Sequence, residues 1–559
     1  MEVHQQEDLF RAMATPGFYP HAVQAIEKRE THISAVFLTG EWVYKVKKAV
    51  DYGFLDFSTA AKRHRFCRRE CELNQRLAVD VYNGVVKITR HKGGFRLGGS
   101  GPAVDYAVRM RQLPETRSLA WQLRTEAMSS DFLWALISHL TAFYTRQGPC
   151  PQQQSAAAYR HLRSACENNF HQTLPFVGKC LDRHLFEIVR QATNAFLERR
   201  QLLFAQRADE GWIRDGHGDL RACHIYTLPG KGIHVIDCIE FDDRLRQIDI
   251  VSDLAFLAMD FDFADRPHLS SQMMDFYSQL SRDPGVYLVL PFYKCYRAMV
   301  RCKVSCLHLE TAGSPRARPE VLEEARRFLK LAYRYAVSFS RPKIWAFSGL
   351  PASGKSTVAR AMASVIAAPH LRSDVIRHTL FKTRADAPQS PAFSTGIYAQ
   401  IPKRRTYGRL LEQTRTALSH GRSVIVDATF NRPEYRREIS RLARDHHLRL
   451  TFVECRAPLR VIKSRLSQRA QHFSLSQARV QDFEAFRREY TPMGGAGLTA
   501  KIVVDTTRSP EECVRQILAE DHRLCTACMV SSLRDSDQSK KGGPHVPRHP
   551  RRNRSHHRP

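Results

Sequence analysis

Residues 343–357 read "KIWAFSGLPASGKST". An apolar run of strand length stops at a glycine, and Gly349 to Ser356 then fit G-x-x-x-x-G-K-[ST] in full. A random chain of this length would show that pattern roughly once in fifty. The context is the one that phosphate binding requires, because the loop follows an expected strand and opens an expected helix, "KSTVARAMASVIA". Gly349, Leu350, Pro351, Ala352, Ser353 and Gly354, with Lys355, Ser356 and Thr357 at the helix start, form the expected nucleotide cradle. In such a loop backbone N–H groups and the helix N-terminus face the phosphates, Lys355 reaches the outer ones, and the Ser356 hydroxyl ligates Mg2+. A parallel-sheet α/β domain of the P-loop NTPase type is implied.

Downstream, "SVIVDATF" is an apolar strand ending in Asp427, the position for a Mg2+ carboxylate. "LRSDVIRHTL" puts Asp374 and Arg377 just after the second expected strand, at the carboxyl edge where α/β sheets bind ligands. "RVIKSRLSQR" sets Arg465 and Arg469 four apart on one helix face, within reach of a transferring phosphoryl group as a lid would be.

Upstream, residues 320–336 carry a broad apolar helical stripe that "SFSRP" breaks, so a domain of 341–520 is expected to begin there. Residues 20–118 are strand-rich: "SAVFLTGEWVYKVKK" alternates around a turn at Thr39 and Gly40, and "DYAVRMRQL" is a further strand. Residues 119–335 have mostly helical spacing. Residues 521–559 are expected as a disordered basic tail, since the last twenty residues hold seven Lys and Arg with no acid and no apolar period.

The totals agree with several domains. The chain has 559 residues, more than the ~250–300 at which single cores stop growing. Its 43% hydrophobic and 25% charged content is ordinary for a globular protein. No apolar run nears the ~20 residues of a bilayer span, and the acidic start lacks the pattern of a signal peptide, so a cytoplasmic location without membrane contact is expected. The fourteen cysteines lack framework spacing and read as reduced thiols; Cys525 and Cys528 form a C-x-x-C that no second pair accompanies. A net charge of +30 favours anionic partners, and the basic tail is a candidate nucleic-acid contact.

A second centre lies earlier. "HGDLRACHIY" (217–226) is followed by "IHVIDCIEFDD" (233–243), which supplies two carboxylates, Asp219 and Asp237. A phosphotransferase needs one carboxylate to take the acceptor proton and another, after a later strand, to hold Mg2+.

From 341 to about 510 the chain resembles the small P-loop kinases that phosphorylate hydroxyls, a group including polynucleotide 5′-kinases, gluconate-type kinases and zeta toxins. "DVIR" matches the D-x-x-R of the polynucleotide kinases. That resemblance implies Asp374 as general base, Arg377 as a substrate-phosphate or orienting contact, and Arg469 as the lid arginine. The pattern H-G-D-L then I-D resembles the aminoglycoside phosphotransferases and choline-type kinases, with His224 standing where they have Asn. A resemblance over nearly the whole chain is to the bacterial two-domain proteins joining an aminoglycoside-phosphotransferase-like domain to a P-loop ATP-binding domain. "FLTGEWVYKVKKAVDYGFLDFST", "HGDLRACHI", "DCIEFDDRLRQIDIVSDLAFLAMD" and "GLPASGKST" carry it.

That resemblance implies an α/β multidomain chain whose N-terminal part is a two-lobed protein-kinase-like α+β fold, with 1–118 as the small lobe and 119–335 as the large one. It implies that Lys45 contacts nucleotide phosphates and pairs with Glu70, with Lys47, on the same strand face, as the alternative. Asp219 would be the acceptor base, Asp237 the Mg2+ ligand, and Asp253 a brace for the catalytic loop. The expected activity is transfer of the γ-phosphate of ATP, with Mg2+, to a hydroxyl of a small molecule or an oligonucleotide. A nucleic-acid 5′-hydroxyl kinase and an ATP-dependent switch with ATPase activity but no acceptor are the alternatives.

Overall fold

The computed structural model describes residues 3–53, 55–91, 93–125, 128–150, 155–283, 285–311, 317–381, 400–470, 480–481, 483–491, 493 and 500–541. At 3–5, 155, 310–311, 317, 469–470 and 527–541 only the backbone is described.

The chain opens with six antiparallel strands: β1 (Glu27–Glu30), β2 (Ser34–Leu38), β3 (Trp42–Lys47), β4 (Tyr82–His91), β5 (Gly94–Leu97) and β6 (Ala103–Arg111), in the order β1-β2-β3-β6-β4-β5. Alternation along β3 sorts its side chains to two faces. Tyr44 and Val46 join Leu9, Phe10, Met13 and Phe37 on one side. Val43 packs on the other with Cys67 and Cys71 of the helix Ala60–Asn74, and the period of two puts Lys45 and Lys47 on that side as well. The Thr59 side chain accepts from the N–H of Lys62 and starts that helix. The β2–β3 turn uses Gly40 at φ 102°, a conformation that favours glycine.

A helical lobe follows. Its centre is the helix Ile250–Phe263, buried on nearly every side and flanked by Val286–Thr311 and Pro267–Ser281. Two short antiparallel ribbons cross it. In one, β7 (Ile213–Asp215) pairs with β10 (Gln247–Asp249); in the other, β8 (Ile225–Leu228) pairs with β9 (Gly232–Val235). The connections between them, 216–224 and 236–246, hold Asp219 and Asp237.

Five parallel strands come last: β11 (Lys343–Ser348), β12 (His370–Arg372), β13 (Val424–Asp427), β14 (Arg449–Arg456) and β15 (Lys501–Asp505), in the order β12-β13-β11-β14-β15. With helices on both faces, the central strands are apolar throughout, as in buried parallel sheets. The order places the carboxyl ends of β11, β12 and β13 side by side, at the crevice where such sheets bind ligands.

Two boundaries differ from the sequence reading. The helix Ala317–Ser340 runs through "SFS" and stops only at Arg341 and Pro342, because proline removes the N–H that a further turn needs. The closing helix, Pro510–Lys541, runs past 521, where the tail was expected to start. Asp521 and His522 are buried, and Asp521 accepts from the Thr451 hydroxyl at 2.8 Å and pairs with Lys343 at 3.3 Å. These anchors outweigh the polar composition of the segment. Residues 542–559 lie outside the described residues. Phe292, Phe339, Trp345, Phe347 and Ile517 belong to one continuous apolar cluster, so the helical lobe and the parallel sheet share a core. No helix among the described residues is long and apolar enough to cross a membrane.

Candidate active sites

β11 is buried to its last residue and delivers the loop 349–354 at its carboxyl end. Gly349 has φ 146°, and a Cβ there would lie 2.6 Å from the Cys455 carbonyl oxygen and 2.6 Å from Ser353 Oγ. Gly354 has φ 84°, and its Cβ would stand 2.9 Å from Thr506. Both contacts are closer than real Cβ atoms allow, so the two motif glycines are required sterically. Leu350, Pro351, Ala352 and Ser353 fill the turn; Ala352 and Ser353 are buried, and Ser353 Oγ has no partner among the described residues. The helix Lys355–Ile366 begins at Gly354 with no side chain capping it, so its first N–H groups are left for a ligand.

Lys355 Nζ donates only to the Leu350 carbonyl, at 3.5 Å, and forms no ion pair among the described residues. Ser356 is half-buried and Thr357 exposed on the first turn. Asp427, paired in register with Phe347 across the sheet, lies beside them. Burial pushes its carboxyl up, but a hydrogen bond from His370, the Lys355 charge and a hydrogen bond from the Ser356 hydroxyl together hold it below the usual carboxylate range. His370 Nε2 is 3.2 Å from Asp427 Oδ2, and Arg372 Nε is 3.8 Å away. Ser356 and Asp427 thus present oxygen donors side by side, which suits a hard cation such as Mg2+.

Asp374 and Arg377 follow β12 on the helix Ser373–Leu380, with Arg377 Nη1 donating to Asp374 Oδ1 at 2.7 Å. The register of Arg372 with Asp427 sets this pair next to the end of β13. Arg465 packs against the end of β15. Its guanidinium donates to Thr506 Oγ1 at 3.1 Å and to the Thr506 carbonyl at 2.7 Å, while the Thr506 hydroxyl donates to the Ser353 carbonyl at 2.7 Å. It therefore braces the phosphate loop from behind. Arg469 is on the helix Leu459–Ala470, and its side chain lies outside the described residues.

In the earlier centre, the two lysines of β3 part company. Lys45 Nζ is 2.9 Å from Glu70 Oε1 and 2.6 Å from Asp237 Oδ1, and keeps some exposure. Lys47 is fully enclosed, 2.8 Å from Glu70 Oε2 and paired with Glu240. Of the two, only Lys45 keeps exposure and reaches Asp237. Asp237 sits at φ 64°, a strained backbone for a residue other than glycine, and its N–H donates to the Tyr82 hydroxyl at 3.1 Å. Burial opposes the charge of Asp237, but Lys45 and His224 hold its carboxyl well below the usual range.

Asp219 is 29% exposed, consistent with a carboxylate open to an acceptor. His224 spans the two aspartates: Nδ1 donates to the Asp219 carbonyl at 2.9 Å and lies 3.6 Å from Asp219 Oδ2, and Nε2 lies 3.6 Å from Asp237 Oδ2. Burial lowers its basicity, yet Cys223, Asp219 and Asp237 push it up to about 10. The oxygens of Asp219 and Asp237 suit Mg2+; the imidazole of His224 does not.

Asp253 holds the loop between them. Its Oδ2 accepts from the His217 N–H at 2.7 Å and the Tyr144 hydroxyl at 3.0 Å, and its Oδ1 from the Gly218 N–H at 3.0 Å. Arg297 donates to the Gly218 carbonyl at 3.0 Å from the other side. His370, Thr506, Tyr82 and Glu240 complete the two sites and escaped the sequence reading. Each acts through a contact distant in sequence, which spacing along the chain does not reveal.

Residues 344–493 match a family described as AAA domain. Uncharacterized proteins of Mycobacterium tuberculosis and Mycobacterium bovis are each 32% identical over 450 residues, covering 80% of this chain and 86% of theirs. Among solved structures, a sugar kinase from Janibacter sp. is similar over 33% of this chain and 98% of its own, at 17% identity and a TM-score of 0.26. A choline/ethanolamine kinase family protein from Mesorhizobium loti is similar over 58% of this chain and 99% of its own, at 12% identity and a TM-score of 0.34. The chain belongs to the family of these mycobacterial proteins, with an AAA domain at residues 344–493.

Proposed function

We propose that the chain is an ATP- and Mg2+-dependent phosphotransferase whose P-loop site passes the γ-phosphate of ATP to a hydroxyl acceptor, and whose N-terminal region is a second kinase centre. One observation carries the reading: Lys355, which forms no ion pair among the described residues, stands near Ser356 and the buried Asp427, at the foot of a helix whose N-terminus no side chain caps. That arrangement leaves an ammonium and several N–H donors unspent where a triphosphate would lie.

In this reading Asp374 accepts the acceptor proton as the acceptor oxygen bonds to phosphorus; the bridging P–O bond breaks and ADP leaves. Arg377 holds Asp374 in place through its ion pair. Ser356 and Asp427 would hold Mg2+, which when bound neutralises phosphate charge. At the earlier centre Lys45, oriented by Glu70, would meet the phosphates, Asp219 would take the proton and Asp237 would hold Mg2+. The described cysteines are all free thiols, which fits work in the reducing cytoplasm.

The test is a screen of small hydroxyl compounds and 5′-hydroxyl oligonucleotides with γ-labelled ATP, run on wild type, Lys355→Ala and Asp219→Asn. Labelled product lost in Lys355→Ala assigns the transfer to the P-loop, and loss in Asp219→Asn assigns it to the earlier centre. Release of free phosphate with every acceptor, and no labelled product, would overturn the reading in favour of an ATPase switch.

A further inference from the structure

A cavity of about 390 Å³ lies away from both centres, where the helical lobe meets the base of the parallel sheet. Its walls come from the helices Val286–Thr311 and Ala317–Ser340, from the first strand of the sheet at Lys343 and Trp345, and from the closing helix at Leu518, Asp521 and His522. The volume falls within the ~300–1,000 Å³ of small-molecule sites.

Three lining side chains carry a buried polar atom with no hydrogen-bond partner among the described residues: Trp345 Nε1, His522 Nε2 and Asp262 Oδ1. Trp345 is 5% exposed and His522 8%. A buried polar atom without a partner is destabilising, and three around one cavity call for an occupant. Pro291, also in the wall, offers no N–H to the carbonyl of Tyr287 one turn earlier, a further lining residue. Water alone is a poor filling. About a dozen molecules would be needed at ~30 Å³ each, and Leu288, Leu331, Phe339 and Leu518 offer them no partners.

The charges define the occupant further. Five cations line the space against three carboxylates. Lys294 is tied to Asp262 and Lys343 to Asp521, whereas among the described residues Arg200 and Arg341 donate only to backbone carbonyls, of Ile366 at 2.7 Å and His447 at 3.5 Å. We infer that this cavity binds a small organic anion with a flat apolar body, such as an aromatic carboxylate, whose ring lies among the leucines and Phe339 and whose acid group is met by Arg200 and Arg341. Trp345 stands four residues ahead of Gly349 on the strand that ends in the phosphate loop, so the site adjoins the foundation of the nucleotide cradle without touching it.

Calorimetry on the full chain tests this, with benzoate and indole-3-acetate against their neutral amides, benzamide and indole-3-acetamide. The expected result is one site per chain, with at least one carboxylate binding tenfold or more tighter than its amide. Ser338→Trp, which fills the cavity, weakens that binding at least tenfold, and Trp345→Phe, which removes the indole N–H and keeps a ring, weakens it severalfold, both at a near wild-type Tm. Should Ser338→Trp fail to fold, Trp345→Phe and the carboxylate-to-amide ratio decide. Absence of binding below millimolar concentration, amides binding as tightly as acids, or affinity unchanged in the folded variants overturns the inference.

Discussion

Lys45 Nζ lies 2.9 Å from Glu70 Oε1, joining the third strand of the small lobe to its helix. Glu70 has no exposure and serves Lys47 as well, at 2.8 Å. Removing it leaves two ammonium groups short of charge in a buried place. Glu70→Ala is expected to cost about 3–5 kcal/mol, read as a lower midpoint in urea. Lys45→Met frees Glu70 only partly, because Lys47 remains; it should leave the midpoint close to wild type. In a Lys355→Ala background, however, Lys45→Met is expected to lower labelled-product formation at least a hundredfold.

Gly354 is a sterically closed point of the phosphate loop. A methyl group there meets Thr506 at 2.9 Å and forces an unfavourable φ of 84°. Gly354→Ala should destabilise by about 1–3 kcal/mol and weaken ATP binding at the P-loop at least tenfold. Gly230→Ala, also at positive φ but with nothing within 4 Å, pays the backbone strain alone and keeps its ATP affinity. Thermal unfolding and calorimetry on the two variants separate the clash from the strain.

Asp253 touches no reacting group, and its carboxylate receives two backbone N–H donors of the loop that carries Asp219. In Asp253→Asn one acceptor becomes an NH2 that opposes a backbone N–H. At the earlier centre kcat is expected to drop at least tenfold while the KM for ATP stays within about twofold, the split expected of a positioning residue. An equal rise in KM would contradict the assignment.

His522 gives a pH signature. Burial, with Lys294 and Lys343 nearby, pushes its imidazole down to about 3. Between that value and the ordinary ~6.5 the unfolded chain holds a proton that the folded chain does not, so stability rises with pH and falls on acidification. At pH 5.5 the loss from this residue should be about 1 kcal/mol relative to pH 7.5. His522→Phe should flatten that part of the Tm-against-pH curve; an unchanged slope would contradict the burial of a neutral ring.

The phosphate loop was legible because its chemistry is local: eight consecutive residues specify the turn, the ammonium and the hydroxyl. Lys45 and Lys47 were not separable, since a period of two puts both on one face and only the depth of Glu240 encloses the second. His370 could not be found from spacing, because it meets Asp427 through the pairing of strands more than fifty residues apart. The contact of Arg465 with Thr506 was not legible, because helical spacing fixes a face without naming what lies opposite it. The segment after 521 read as tail from its polar composition, which does not register that Asp521 reaches Lys343 and Thr451 across the sheet.

The most direct test of the central claim is calorimetric titration of the full chain with ATP in the presence and absence of Mg2+, repeated with Lys355→Ala. Strong Mg2+-dependent binding in wild type, with one binding event weakened at least a hundredfold in Lys355→Ala, is the predicted result. Wild-type protein that takes up no ATP with Mg2+, or Lys355→Ala titrating identically to it, would contradict a triphosphate held by residues 349–356.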